Sequence, residues 1–250
     1  MRAEPGPLLF ARYAYPPNRL GYCGPDDALS LADHVREGVV DPDLLRLERG
    51  FEGAYPYLAL IARENGIADP LDRRVVEAYW IGNDLSDRIR PTAFAADLDA
   101  RFGGRVARAE RRWLLELPSR AATVHHDVHV LEVMPRIGML RDGFVPGLLL
   151  AMGRCLVRAG RVEAVTEGGL QVAARSLELR DGRLALGRPV SETVVDGLGR
   201  ATGDGAACRV RRGDWVALHW GVAVDRLEPG GAAALERIAS RAVAAAAGTT

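Results

Sequence analysis

Two cysteines and four histidines carry the softest chemistry this sequence has to offer: Cys23, His125, His126, His129, Cys155 and His219. Cys155 opens Cys155-Leu-Val-Arg-Ala-Gly160-Arg-Val162, which reads as a cysteine leading into a tight glycine turn and then a strand. His219 stands in Arg212-Gly-Asp-Trp-Val-Ala-Leu-His219-Trp-Gly221, where a turn at Gly213-Asp214 feeds a strand presenting one histidine. A thiolate with an imidazole suits a low-valent iron fragment, and neither ligand suits a hard cation. The plainer alternative is a small buried cysteine and a hydrogen-bonded strand histidine.

A second constellation is His125-His126-Asp127-Val128-His129, three of the chain's 5 histidines in one short run. Val124, Val128 and Val130 alternate with His125, Asp127 and His129, so the spacing predicts a strand. On a strand His125 and His129 share a face but lie about 13 Å apart, too far for one ion, while His125 and Asp127 lie about 6.6 Å apart. On a helix the i, i+4 pair would be close enough to chelate. A site on a strand therefore needs a ligand from another element, and Cys23 is the natural choice. Cys23 lies near the end of a stretch rich in aromatics and prolines, Phe10 to Pro25, just before an expected helix N-terminus that would lower its pKa. The alternative for this cluster is a set of histidines in a polar cleft or partly buried strand.

The Cys155 and His219 segments, in this order and with a helix after them, resemble the HypC/HupF hydrogenase-maturation chaperones from about Cys155 to Ala245. In that family a cysteine before a Pro-Gly turn and a histidine inside a Gly-Asp-Trp/Tyr-Val-x-x-His-x-Gly-Phe-Ala strand are the functional pair. The resemblance implies an iron carrying cyanide and carbon monoxide ligands, with Cys155 as principal ligand and His219 in support. It implies an accessory factor in nickel–iron hydrogenase maturation, holding or passing that fragment between proteins. Its partners would be an iron–sulfur scaffold protein (HypD-like) or a hydrogenase large-subunit precursor. Here the cysteine is internal, whereas the family's follows the initiator methionine, and Ala159 stands where the family has its proline. Phe10 to Pro25 and Leu71 to Asn83 resemble a bacterial family of unknown function in which helical and barrel halves occur together. The rival reading is a metal-dependent enzyme built on Cys23, His125, His126 and His129, with the barrel binding a partner. A third is an adaptor in which all of these residues are structural.

The elements that must position these residues divide by period. Before Pro118 the pattern is helical: Pro25-Asp-Asp to Gly38, Leu44 to Arg49, Tyr57 to Glu64, Asp69-Pro70 to Trp80, Ala93 to Phe102 behind Thr92, and Val106 to Leu117. From Cys155 onward short strands are expected at Arg161 to Val165, Leu170 to Ala174, Arg183 to Leu186 and Val216 to Val224, with Ala232 to Ala247 a helix of high intrinsic propensity. The expected fold is α+β. An all-helical domain with a histidine-rich strand near its end spans 1–145, and a small HypC-like (OB-like) antiparallel barrel with a C-terminal helix spans 150–250.

Composition narrows the function classes. Apolar residues make up 48% and charged residues 26%, those of an ordinary globular protein. Acidic and basic residues balance at 33 each, so the electrostatic footprint of a nucleic-acid binder is missing. Every basic residue is arginine, which excludes Schiff-base, P-loop and kinase-type lysine chemistry. The 3 cysteines, Cys208 being the third, form no Cys-x-x-Cys, against a disulfide framework, a zinc ribbon or a self-contained cluster. No apolar run approaches the roughly 18 residues of a membrane helix and no leader precedes the first helix, so a cytoplasmic protein is expected.

Overall fold

The computed structural model describes residues 4–121, 123–139, 146–198 and 210–247; Cys208 and the first part of the expected boundary at Gly143 to Cys155 lie outside them. The helical half comprises α1 (Gly6–Arg19), α2 (Ala28–Glu37), α3 (Pro42–Arg49), α4 (Tyr55–Glu64), α5 (Arg73–Trp80), α6 (Asp84–Asp87), α7 (Pro91–Phe102) and α8 (Arg108–Ala121). Then come α9 (His126–Val128), two π-helical turns (His129–Val133 and Pro135–Met139) and α10 (Pro146–Cys155). The strands are β1 (Arg158–Thr166), β2 (Gly169–Ala174), β3 (Leu177–Arg180), β4 (Arg183–Leu186), β5 (Val190–Asp196), β6 (Trp215–His219) and β7 (Val222–Leu227), followed by α11 (Pro229–Ala247).

Local chemistry sets the helix ends. Asp41 accepts the N–H of Leu44 at 2.9 Å and Pro42 supplies a preset first turn, so α3 starts there. Gly38 closes α2 in the left-handed region, φ 66°. The Phe10 to Pro25 stretch is largely helical: Leu9, Phe10 and Tyr13 recur on one buried face, and Pro16 and Pro17 sit in the last turn of α1. Pro118 does not stop α8, which continues to Ala121.

Five strands close a barrel in the order β1-β2-β5-β7-β6, and β3 pairs with β4 as a separate hairpin. The barrel is not wholly antiparallel, because β5 and β7 pair in parallel at Val195–Val222 and Asp196–Ala223. Gly160 is no turn: it lies inside β1, paired with Ala174 and Val216, where a Cβ would come 2.9 Å from the Leu218 side chain. Nor is Val216 to Val224 one strand. Trp220 (φ 51°) and Gly221 (φ 74°) both have positive φ, as a tight hairpin turn between β6 and β7 requires.

The histidine run is helical rather than extended. Val124, His125, Asp127, Val128, Val130, Leu131 and Val133 are all at most 2% exposed, so the segment is buried on every side and apolar alternation carries no information about its period. His125 Nδ1 accepts the N–H of Asp127 at 3.1 Å and so caps α9. The N–H of Met134 reaches the His129 carbonyl at 2.9 Å, the i to i+5 bond of a π-turn.

One apolar core runs through both halves, from Leu9 and Phe10 through Leu58, Ile61, Val76 and Trp80 to Val157, Ala217, Val224 and Leu235. A smaller one fills the barrel with Val162, Leu170, Val172, Val194, Val216 and Leu218. Helix α1 is tied to the barrel by Tyr13 and Arg12, which donate to Asp225 of β7 at 3.4 Å each.

Candidate metal centre

Three segments far apart in sequence meet where the helical half abuts the barrel. His126 opens α9, Cys155 ends α10 and His219 ends β6. Two hydrogen bonds hold them in register. Asp127 accepts the N–H of Val157 at 3.0 Å, pinning α9 beside the residues that follow Cys155. The N–H of Trp220 donates to the carbonyl of Arg154 at 2.8 Å, pinning the hairpin tip beside the end of α10. One ligand atom from each of His126, Cys155 and His219 then lies within 4.8 Å of the other two, and His126 Nε2 is 3.7 Å from Cys155 Sγ.

The protonation pattern follows from the partners. His219 Nδ1 lies 2.7 Å from the Tyr13 carbonyl and must carry the proton to donate to it. Its Nε2 therefore presents a lone pair, in a residue 1% exposed, near the Cys155 backbone carbonyl, itself an acceptor, so no donor satisfies it. A buried orphan acceptor beside a thiol and a second imidazole is what an ion would satisfy.

His126 has two arrangements. In one, which satisfies both ring nitrogens, Nε2–H donates to the Cys155 carbonyl at 2.9 Å and Nδ1 accepts from Tyr79 Oη at 3.2 Å. In the other, Nδ1–H donates to Tyr79, whose hydroxyl donates onward to the Gly53 carbonyl at 3.2 Å, and the Nε2 lone pair is set against the Cys155 carbonyl, a repulsion that an ion on Nε2 would relieve. Only the second can ligate.

Burial keeps both rings neutral and ready to ligate. His219 is pushed down to about 4, chiefly by desolvation, and His126 well below its ordinary value by desolvation and the neighbouring His219 and His129. Burial raises the Cys155 thiol, with Cys23 and Asp127 adding to the effect and the Trp220 side chain opposing it. Loading a metal therefore expels the thiol proton. Trp80 packs against both imidazoles, with ring centroids 4.6 Å from His126 and 5.5 Å from His219, and so keeps water from that side. Two nitrogens and a sulfur without a carboxylate fit borderline or soft ions such as zinc, low-valent iron or monovalent copper.

The family model that matches this chain covers residues 2–249. The chain belongs to DUF6390, a family of unknown function. No curated protein and no solved structure matches it.

The remaining residues with ligand chemistry in this DUF6390 protein go to separate partners. His125 is spent on capping α9, and His129 Nδ1 lies 2.9 Å from Tyr57 Oη. Cys23 is exposed as a residue, yet its thiol is desolvated and pushed up to about 12, not lowered by a helix end. The reason is distance: α2 starts only at Ala28, and a helix dipole fades within its first turn. The structure thus joins the Cys155/His219 pair to one member of the histidine run. Sequence reasoning missed the residues that orient the trio, namely the Tyr13 carbonyl, Tyr79, Trp80 and Trp220. Their one visible signal was the aromatic density around them, since hydrogen-bond geometry leaves no mark in sequence.

Proposed function

We propose that this protein is a cytoplasmic metal-holding accessory factor that carries an iron fragment on His126, Cys155 and His219 during nickel–iron hydrogenase maturation. The observation that carries the reading is the orphaned His219 Nε2, buried within 4.8 Å of the His126 and Cys155 ligand atoms. One further feature supports holding. Cys155 is half-buried while His126 and His219 are buried, so the soft thiol is the most accessible residue of the three. The resemblance to the maturation chaperones supplies the cargo, an iron bearing cyanide and carbonyl ligands, and the partners, an iron–sulfur scaffold or a hydrogenase large-subunit precursor. No helix of the described residues is long and apolar enough to cross a membrane.

Metal analysis with infrared spectroscopy on protein isolated without oxygen tests this reading. The expected result is about one iron per chain with cyanide and carbonyl stretches, lost in Cys155→Ser while the fold stands, since one sulfur contributes only about 1–2 kcal/mol of packing. Equal iron in wild type and Cys155→Ser, or none in either, overturns it.

A further inference from the structure

The last carbonyls of a helix have no partner inside it, and the two that end α10 find theirs in different places. That of Arg154 takes the N–H of Trp220 at 2.8 Å. That of Cys155 turns into the centre, 2.9 Å from His126 Nε2 and also near His219. Cys155 thus brings two donor atoms to the imidazoles, its sulfur 3.7 Å and its main-chain oxygen 2.9 Å from His126 Nε2. Two donors bonded to one ion at about 2.0–2.3 Å, with angles of about 90–120°, stand roughly 2.9–3.8 Å apart. Both separations fall in that span. His219 Nδ1–H is committed to the Tyr13 carbonyl, so the lone pair of its Nε2 has no donor to meet. A cation bonded to the Cys155 oxygen and to Nε2 satisfies both acceptors at once. The carbonyl end of α10 is also the negative end of its dipole, which favours positive charge there.

We propose that Cys155 is a two-atom ligand, bonding the metal through its main-chain carbonyl oxygen as well as its sulfur. With His126 and His219 it then surrounds a bare divalent ion with four protein donors and leaves no position for water. The inference rests on the metal-holding reading above and deepens it. Loading is a ligand substitution without redox change. The Cys155 thiol gives up its proton and its sulfur bonds the ion; the His126 ring exchanges its Nε2 proton for one on Nδ1; the amide oxygen and the two Nε2 atoms each donate a lone pair; the waters of the ion leave. One proton is released in all. Structural zinc sites are closed by four protein donors in this way, whereas catalytic ones keep a water in the fourth position. The centre therefore holds an ion without activating water. Cyanide and carbonyl ligands arriving on a low-valent iron displace the amide oxygen, the one hard donor of the four.

The test uses the full chain with Cys23→Ser and Cys208→Ser, so that cysteine labelled with carbon-13 at its carbonyl marks Cys155 alone. Infrared difference spectroscopy follows the labelled amide band as zinc is added. Loss of the His126 hydrogen bond by itself raises the carbonyl stretch, whereas a bond to zinc lowers it. The expected result is a downward shift that saturates at about one zinc per chain. An upward shift, or none, at the same stoichiometry overturns the carbonyl ligand and leaves the three-ligand site standing. The cobalt(II)-loaded chain should also keep one visible spectrum from about pH 6 to 9, because a water on the ion would titrate near about 7. A spectral transition within that range shows a bound water and overturns the closed set of donors. Failure of zinc to bind, or equal binding by Cys155→Ser, removes the holding site and the carbonyl ligand together.

Discussion

Tyr79 is the residue on which the ligating form of His126 depends. Its hydroxyl is 3.2 Å from His126 Nδ1 and 3.2 Å from the Gly53 carbonyl, so it can receive the ring proton only while donating its own to Gly53. Tyr79→Phe should weaken metal binding by about 10–100-fold, as outer-shell partners of a ligating histidine do. It should cost only about 1 kcal/mol of stability. Competition against a chelator measures the first and denaturant unfolding the second; unchanged affinity would remove Tyr79 from the centre. Glu48 makes a prediction of another kind. It is fully buried, its oxygens have no partner, and desolvation with a nearby Asp69 raises it from 4.5 to about 9. The native state keeps a proton that the unfolded chain releases above its ordinary value. Stability from this group is therefore complete below pH 4.5 and is lost as pH rises towards 9, by at most about 1.4 kcal/mol per pH unit. Glu48→Gln should flatten that slope and raise the unfolding midpoint at pH 8 more than at pH 5.

At the scale of elements, the turn between β1 and β2 separates two neighbouring glycines sharply. Gly169 sits at φ 136°, and a Cβ there would collide with the backbone carbonyl of Val194 in β5, whereas a Cβ on Gly168 meets nothing within 4 Å. Gly169→Ala should cost about 2 kcal/mol or more, and Gly168→Ala should stay within about 0.5 kcal/mol, by denaturant midpoint. Equal effects would mean that β2 and β5 are not paired as described. The same scale shows what the sequence displays and what it hides. Helices with a polar cap or a glycine stop, such as α2 and α3, could be read because their signals lie within a few residues. The β6–β7 hairpin was hidden because its turn places Trp220, a bulky residue, in the left-handed region where a glycine or asparagine is the usual marker. The helical histidine run was hidden by complete burial, and with it the pairing of His126 with Cys155, which depends on a contact between α9 and the end of α10.

At the scale of the whole molecule, the principal core is continuous from α1 to α11, and Asp225 of the barrel is bonded to Arg12 and Tyr13 of the first helix. Helical half and barrel should therefore melt together. Scanning calorimetry of the metal-free chain should show one transition whose calorimetric and van't Hoff enthalpies agree; two resolved peaks would mean independent halves.

The three candidate ligands come from α9, α10 and β6, and the Tyr13 carbonyl that orients His219 comes from α1. None of these neighbours is close in the chain, so no nascent fragment can assemble the centre. Long loops must close before the ligands meet, and such contacts form late. On the proposed holding role, cargo binding would thereby inspect the finished fold: an incomplete or misfolded copy would present scattered, low-affinity donors and stay empty. A completed copy would be stabilised by such a cargo in proportion to the logarithm of free metal over its dissociation constant, and would be hardest to unfold while loaded.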